Sequence, residues 1–234
     1  MPSILVTGNK GFIGSGLTGD GIDIKDGVDI CTYKAKQKYD IVIHTAARTS
    51  VTESMKFPGE YDRVNVIGTL NILRQHPKAH FIYLSTASVY GEGLDHTVKT
   101  PTKPKSPYAE TKLAGEFLVQ KLAKSWCILR LTNVIGDEDR GEANVYQVFR
   151  KAKVLPIFGD GLQTRDFIHV DKVRQVIRES YARQGLYNVG SGKVKTILEV
   201  AREFNKPIEF FDERPGEIRN FGIDPHADNN ITFV

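Results

Sequence analysis

The chain has 234 residues, 40% hydrophobic and 26% charged, with a formal net charge of +4. These values fit one α/β domain, or one such domain with a small second lobe, and exclude a disordered chain. No run approaches the roughly 18 apolar residues of a membrane span. The opening segment reads as a first strand rather than a leader, and so small a charge does not by itself imply nucleic acid. Cys31 and Cys127 offer neither a disulfide framework nor metal-ligand spacing, so a cytoplasmic setting is expected.

Ser3–Thr7 is a short apolar run ending at Gly8, as in a buried parallel strand. Gly11 to Thr18 leaves room for only a short helix before Gly19-Asp20-Gly21. Ile22–Ile24 and Ile41–His44 are the next strands. Tyr61, Val64, Ile67, Leu70 and Leu73 recur at helical spacing and predict a helix over 60–75. Phe81–Ser85 is a strand. Ser106 as N-cap and Pro107 at the first helical position open a long helix to Lys124, followed by a strand at Cys127–Leu131. The alternation of strand and helix predicts a parallel, doubly wound α/β sheet.

Past Asn133 the loops grow richer in glycine and charge, as in Phe158-Gly-Asp-Gly161 and in the acidic run Asp137-Glu138-Asp139, which reads as a solvated loop. Phe167–Val170, Tyr187–Val189 and Ile208–Phe211 read as strands, and 171–183 and 196–204 as helices. From Arg214 onward there is little periodicity, and a loosely ordered end is expected. The implied division is a nucleotide-binding body over 1–133 plus about 166–190. A small C-terminal substrate lobe covers about 134–165 plus 191–234.

Val6-Thr7-Gly8-Asn9-Lys10-Gly11-Phe12-Ile13-Gly14 follows one predicted strand and opens a predicted helix. In that context Gly8 permits a sharp turn, Gly11 a close backbone approach to a pyrophosphate, and Gly14 close packing of helix on sheet. The helix N-terminus would add free N–H groups for the phosphates. Asp23, 15 residues after Gly8, stands where an acid could bind both ribose hydroxyls and repel a 2′-phosphate, which favours NAD. Asp26 is the alternative acid. Lys10 and Lys25 are possible partners of a 2′-phosphate, which keeps NADP open. The lysine clusters at 34, 36, 38 and at 99, 103, 105 read as solvated surface or as help in attracting an anionic ligand.

Tyr108 and Lys112 are four apart and share a helix face. They follow a strand that ends in Ser85-Thr86-Ala87-Ser88, at the carboxyl edge where such sheets bind ligands. A phenol is a poor base near neutrality, but a nearby ammonium and an oxidised nicotinamide would stabilise the phenolate. Thr86 could then hydrogen-bond a reacting hydroxyl while Tyr108 takes its proton. His44, His169, Cys127 and Trp126 read as structural residues.

These stretches, together with HTAARTSV, Asn65-Val-Ile-Gly-Thr-Leu-Asn71, LRLTNVIG, GDGLQTRDFIHVDKV, YNVGSG and RPGE, resemble the extended short-chain dehydrogenase/reductase family, in particular its NAD-dependent epimerase/dehydratase group. The resemblance runs from Leu5 to about Asp224. It implies a Rossmann-like fold, NAD as cofactor and a nucleotide sugar, such as a UDP-sugar, as substrate. By the same resemblance Thr86, Tyr108 and Lys112 are catalytic. Gly8, Lys10, Gly11, Phe12, Ile13, Gly14, Asp23, Ala46 and Ala47, with Tyr108 and Lys112, serve the cofactor. Asn65 braces the strand end. Thr86, Asn133, Arg165, Arg214 and Glu217 serve the substrate, the arginines through its diphosphate. A homodimer through the helices over 60–75 and 107–124 is also implied.

The chain departs from the group in two ways. Ala87 and Ser88 stand where the 4,6-dehydratases carry an Asp-Glu pair, which disfavours loss of water. The first helix, the 25–39 span and the end of the chain are short for the group. The leading expectation is a 4-epimerase working by transient C4 oxidation. A reductase or dehydrogenase of the same fold, and a non-catalytic cofactor-binding sensor, remain as alternatives.

Overall fold

The structure, a computed structural model, describes residues 2–137, 144–214 and 218–233. In chain order the first half comprises β1 (Ile4–Thr7), β2 (Asp20–Ile22), β3 (Ile41–His44), α1 (Val51–Lys56), α2 (Pro58–Tyr61), a π-helical stretch (Asp62–Gly68), α3 (Thr69–Gln75), β4 (His80–Thr86), β5 (Gly93–His96) and α4 (Pro107–Leu122). The second half comprises β6 (Ser125–Leu131), β7 (Asn133–Ile135), α5 (Val145–Lys151), β8 (Leu155–Phe158), β9 (Thr164–His169), α6 (Val170–Glu179), β10 (Gly185–Gly190), β11 (Val194–Thr196), α7 (Ile197–Arg202), β12 (Ile208–Phe211), β13 (Phe221–Ile223) and β14 (Asn230–Thr232).

Seven strands form one sheet in the order β14-β10-β6-β4-β3-β1-β2, parallel throughout. Strand alternation divides the apolar residues between two faces. Val6, Ile43, Ile82 and Leu129 pack against Val173, Val176 and Ile177 of α6. Leu5, Val42, Phe81 and Ile128 pack against Ile72, Leu73 and Val119 of α3 and α4. Both faces are covered, which is why these strands read as continuous apolar runs. Apart from this sheet, β12 pairs with β8, and Phe149, Leu155, Ile157, Ile197 and Val200 form a separate apolar cluster, in the part of the chain expected to be a smaller lobe. No helix among the described residues is long and apolar enough to cross a membrane.

The expected parallel α/β sheet is present, with corrections in its first crossovers and its end. The helix expected over 11–18 is a single 3₁₀ turn, Gly14–Gly16. Among the described residues, the glycine loop is therefore not followed by an α-helix. The second strand spans Asp20–Ile22 rather than 22–24, and Asp23 caps a 3₁₀ turn at Ile24–Asp26. Within the stretch expected to be loosely ordered, Phe221–Ile223 (β13) pairs with β5, and Asn230–Thr232 (β14) completes the main sheet beside β10. Residues 230–232 thus belong to the sheet and not to the lobe to which 191–234 was assigned. These strands are three residues long, too short for periodicity to register.

α4 begins as its sequence predicts, with the Ser106 side chain accepting from the Ala109 amide and Pro107 in the first turn. A Cβ at Gly115 would fall on the Tyr83 hydroxyl, so α4 packs closely on β4 at that point. One turn past Lys112, the Glu116 carboxylate takes two bonds from Arg130 of β6, at 2.9 and 2.6 Å, and one from Ser85 of β4. The two charged side chains are 2% and 6% exposed, so neither charge has water as an alternative partner.

A second buried polar path runs beneath the carboxyl edge of the sheet. The Thr69 hydroxyl donates to Asn65 O at 2.7 Å, so it accepts from His44 Nε2 at 2.9 Å. His44 Nδ1 is then the acceptor for Thr7 Oγ1 at 2.8 Å, and Thr7 accepts the Ala46 amide at 3.3 Å. Every donor meets an acceptor only if the imidazole is neutral. Burial, with the Lys112 ammonium nearby, lowers its pKa from 6.5 to about 3.

Two outcomes are expected. Arg130→Met, which strands the Glu116 charge, should cost about 3–5 kcal/mol in urea unfolding, and adding Glu116→Leu should recover much of that loss. His44 takes up a proton only in the unfolded chain between pH 6.5 and about 3, so its contribution is full above that window and is lost as pH falls through it. His44→Gln should flatten the pH dependence of unfolding there; the slope that remains comes from His76 and His96, which burial also holds down, and from carboxyl groups held low by hydrogen bonds, such as Asp29 beside Arg63 and Asp160 beside Arg219.

Candidate active site

A cleft of about 880 Å³ opens at the carboxyl ends of β1, β3, β4 and β6 and continues under the smaller lobe. Of the residues singled out from sequence it brings together Phe12, Ile13, Ala47, Thr86, Tyr108, Lys112, Asn133, Arg165 and Arg214. Gly8, Lys10, Gly11, Gly14, Asp23 and Ala46 are not in its walls. Gly8, Lys10, Gly11 and Gly14 form the turn behind one end of it, Asp23 bonds to the Lys10 amide of that turn, and Ala46 packs on Gly8. Glu217 lies outside the described residues, as do Glu138 and Asp139 of the acidic run.

The glycine loop is tightly constrained. Gly8 has φ 71°, and a Cβ there would come within 2.8 Å of the Ala46 backbone. A Cβ at Gly14 would fall on the Gly8 carbonyl. Gly11 N bonds to Gly8 O at 2.9 Å and Ser15 N to Gly11 O at 3.1 Å. The amides of Phe12 and Ile13 donate to nothing among the described residues. They offer two N–H groups at the mouth of the cleft, as a dinucleotide phosphate requires, so the loop fits that group even without a following helix.

Asp23 is 6% exposed and accepts from the amides of Lys10 and Lys25, both at 2.9 Å. It therefore shapes the turn as well as placing a carboxylate at the end of β2. Lys10 pairs with Asp26, and Lys25 donates to Lys10 O at 3.1 Å. Both lysines are thus engaged within the chain.

Thr86 caps the 3₁₀ turn Ala87–Tyr90: it accepts from Ser88 N at 3.2 Å and donates to Ser88 Oγ at 3.1 Å. Lys112 is 3% exposed, with its ammonium 4.2 Å from the centre of the Tyr83 ring. Burial lowers its pKa from 10.5 to about 7, against the pull of Glu116. Asn65 sits in the π-helical stretch, a distortion that often marks functional positions. Its Nδ2 donates to Arg48 O at 3.1 Å and to Thr111 Oγ1 at 3.0 Å, and Oδ1 accepts from Arg48 N at 2.9 Å. Thr111 in turn donates to Tyr108 O at 2.8 Å, which joins Asn65 to the turn of α4 that carries Tyr108.

On the lobe side, the Arg214 guanidinium lies 3.6 Å from the centre of the Phe158 ring. Arg165 donates to Thr164 O at 2.7 Å. Asn133 donates to Asp166 O at 3.3 Å. Lys105 of the second lysine cluster also lines the cleft. Sequence reasoning missed Arg48, Ser50 and Glu53, where α1 enters the wall, and Gln163. Arg48 follows the Ala46-Ala47 pair directly, so its place just past the third strand was the available signal. His44 packs at a strand end and Cys127 is fully buried, both as expected; His169 caps α6.

The NAD dependent epimerase/dehydratase family profile matches residues 18–190. Among individual relatives, a dTDP-glucose 4,6-dehydratase of Xanthomonas campestris pv. campestris is 31% identical, with 86% of this chain and 69% of that protein covered. A putative UDP-glucose 4-epimerase of Methanocaldococcus jannaschii is also 31% identical, covering 94% and 79%. Among solved structures, the Thermus thermophilus UDP-glucose 4-epimerase in complex with NAD superposes with a TM-score of 0.84 at 27% identity, covering 95% of this chain and 90% of that one. A profile match over most of the chain, and a site assembled at the sheet edge where the family's motifs were recognised, lead to one conclusion: the chain belongs to the NAD-dependent epimerase/dehydratase family.

Proposed function

We propose that this protein is an NAD-dependent nucleotide-sugar 4-epimerase. The observation that carries the reading is one cleft holding Thr86, Tyr108 and Lys112 together with Arg165 and Arg214. When bound, NAD supplies the acceptor, and on return the donor, of a hydride. Tyr108 takes the proton of the C4 hydroxyl, and the same phenol returns it after the ketose has turned over. Thr86 hydrogen-bonds the reacting oxygen. Lys112 in its ammonium form stabilises the phenolate. Asp23 receives the adenosine ribose, and the Phe12 and Ile13 amides receive the pyrophosphate. Arg165, Arg214 and Asn133 hold the nucleotide diphosphate under the lobe.

Relatives of both kinds, epimerase and dehydratase, match the chain. Dehydration needs an acid for the departing hydroxyl and a base for the neighbouring proton. Positions 87 and 88 supply an alanine and a serine. Glu53 lines the cleft, but its carboxylate is tied to Arg48 at 3.3 Å and Tyr61 at 2.9 Å. These points favour epimerisation. A homodimer is part of the same reading: Phe117, Leu122 and Ile67 are 60%, 47% and 54% exposed on α4 and the neighbouring π-helical stretch, a face that a second copy would cover.

Product chromatography after incubation with UDP-glucose, UDP-N-acetylglucosamine and related sugars tests the reading. Interconversion of 4-epimers is expected; a 4-keto-6-deoxy product would establish dehydration instead. Tyr108→Phe should keep fold and NAD affinity while losing about two to four orders of magnitude in rate. Lys112→Ala should lose both rate and affinity, and Thr86→Val should fall between. For the assembly, light scattering should give a dimer for the native chain and a monomer for Phe117→Glu.

A further inference from the structure

We propose that Arg174, contributed by α6 from more than 150 residues down the chain, is the positioning residue that holds the cofactor loop in its binding shape. It does so in place of the helix that the loop lacks. In an α-helix the carbonyl of residue i is taken by the amide of i+4. Phe12 O and Ile13 O would then be satisfied by Gly16 N and Leu17 N. Here the chain leaves after one 3₁₀ turn, and Leu17 is extended at φ −105° and ψ 146°. Leu17 N bonds instead to Gly14 O at 3.0 Å, and Gly16 N lies 3.4 Å from Ile13 O.

Within the loop, Ile13 O accepts from Gly16 N only at 3.4 Å and Phe12 O from Ser15 Oγ only at 3.5 Å; the guanidinium supplies the shorter donors to both. Arg174 Nη2 donates to Phe12 O at 2.8 Å and to Ser15 Oγ at 3.2 Å, and Nε donates to Ile13 O at 3.2 Å. Nη1 bonds to Asp171 Oδ1 at 3.1 Å, one turn earlier on the same helix, which fixes the plane of the fork. Arg174 is only 6% exposed. A Cβ at Gly16 would fall on its Nε and Cζ, so glycine at 16 and arginine at 174 are sterically matched. Two adjacent carbonyls met by one planar edge is a geometry that a lysine cannot reproduce. The carbonyls so pinned belong to Phe12 and Ile13, the residues whose amides stand unpartnered at the cleft. α6 itself is secured to the sheet by Val173, Val176 and Ile177, all fully buried, so the arginine is not needed to dock its own helix.

The inference rests on the reading of the loop as the NAD phosphate seat, and the experiment separates the two. NAD affinity is measured by calorimetry on nucleotide-stripped protein for the native chain, Arg174→Ala, Arg174→Lys, Gly16→Ala and the double variant Gly16→Ala/Arg174→Ala. Hydrogen exchange of the loop and of α6 is followed without cofactor. Arg174→Ala should weaken NAD about tenfold or more. Turnover at saturating NAD should fall far less, and Arg174→Lys should recover only part of the affinity. Gly16→Ala should weaken NAD similarly, and the double variant should be no worse than Arg174→Ala alone, because the alanine then occupies the vacated space. Exchange should quicken at residues 9–17 and not in α6.

Unchanged NAD affinity in folded Arg174→Ala, or additive losses in the double variant, would overturn the proposal. So would exchange that quickens as much in α6 as in the loop, since that is the mark of a general structural role. Should Arg174→Ala not fold, Arg174→Lys and Gly16→Ala give the same comparisons. A native chain that binds no NAD would refute the cofactor reading, and the exchange arm would still decide whether Arg174 holds the loop.

Discussion

The buried bond between Glu116 and Arg130 is the constraint on which the site's geometry depends. It ties α4 to β6, and through Ser85 to β4, at a level just below the cleft. Tyr108, Lys112 and Glu116 are successive steps of four along one helix face, and Thr86 directly follows Ser85. Fixing Glu116 therefore fixes the heights of all three groups read as catalytic. A buried ion pair often adds little net stability over an apolar replacement, because desolvation offsets the attraction. Its contribution here is register: a helix sliding on an apolar sheet face has several packings of similar energy, and only one returns both charges to their partners. Arg130 also lies over the Tyr90 ring at 4.7 Å, and Tyr90 Oη donates to Asn188 Oδ1 at 2.7 Å, which carries the same constraint to β10.

The other end of the cleft is organised by groups that replace absent secondary structure. With one 3₁₀ turn after β1 and another after β2, few backbone bonds hold this edge. Side chains take over: Asp23 gathers the amides of Lys10 and Lys25, Arg174 gathers the carbonyls of Phe12 and Ile13, and the Thr7-His44-Thr69 path locks β1 to β3 and to the π-helical stretch. The last of these runs in a single direction from the Ala46 amide to Asn65 O. It then connects through the Asn65 side chain to Thr111 and Tyr108. Loop and helix α4 are thus linked by polar groups that are individually weak but all satisfied, the condition under which a buried network specifies one arrangement.

Much of this was legible in the sequence, and the reasons differ by element. The main strands are continuous apolar runs bounded by glycine or polar residues, and the Ser106-Pro107 cap states the start of α4 outright. Ranges were least legible where elements are shortest. β2, β7, β11, β13 and β14 have three residues each, less than two periods of alternation. The 60–75 helix kept its spacing, yet nothing in that spacing distinguishes an α-helix from the π stretch within it. In the site, the motif residues at the sheet edge were found because their chemistry is local: glycines at a turn, a tyrosine and a lysine one turn apart. Arg174 and the Glu116–Arg130 pair were missed because their meaning is not local. An arginine in an amphipathic helix and a glutamate on another give no sign of carbonyls or guanidinium groups that reach them only after folding.

The Thr86 hydroxyl shows how the site's resting bonds bear on its chemistry. Its proton is directed to Ser88 Oγ, and its oxygen accepts the Ser88 amide. To donate to a reacting oxygen, the hydroxyl must rotate away from Ser88 while keeping the amide bond, a change that exchanges one neutral hydrogen bond for another, each worth about 0.5–1.5 kcal/mol net. A carboxylate at position 88 would change that balance, because a hydroxyl donating to a charged acceptor is held about twice as strongly. It would also place an ionisable group two residues from Thr86, which elimination of water could use and the proposed hydride shuttling would not need. With serine there, the proposed role of Thr86 asks only that its hydroxyl turn from one neutral partner to another. The buried Lys112, held near neutrality, is the cationic group one turn from Tyr108 on the same face of α4, where the proposed mechanism has it support the phenol.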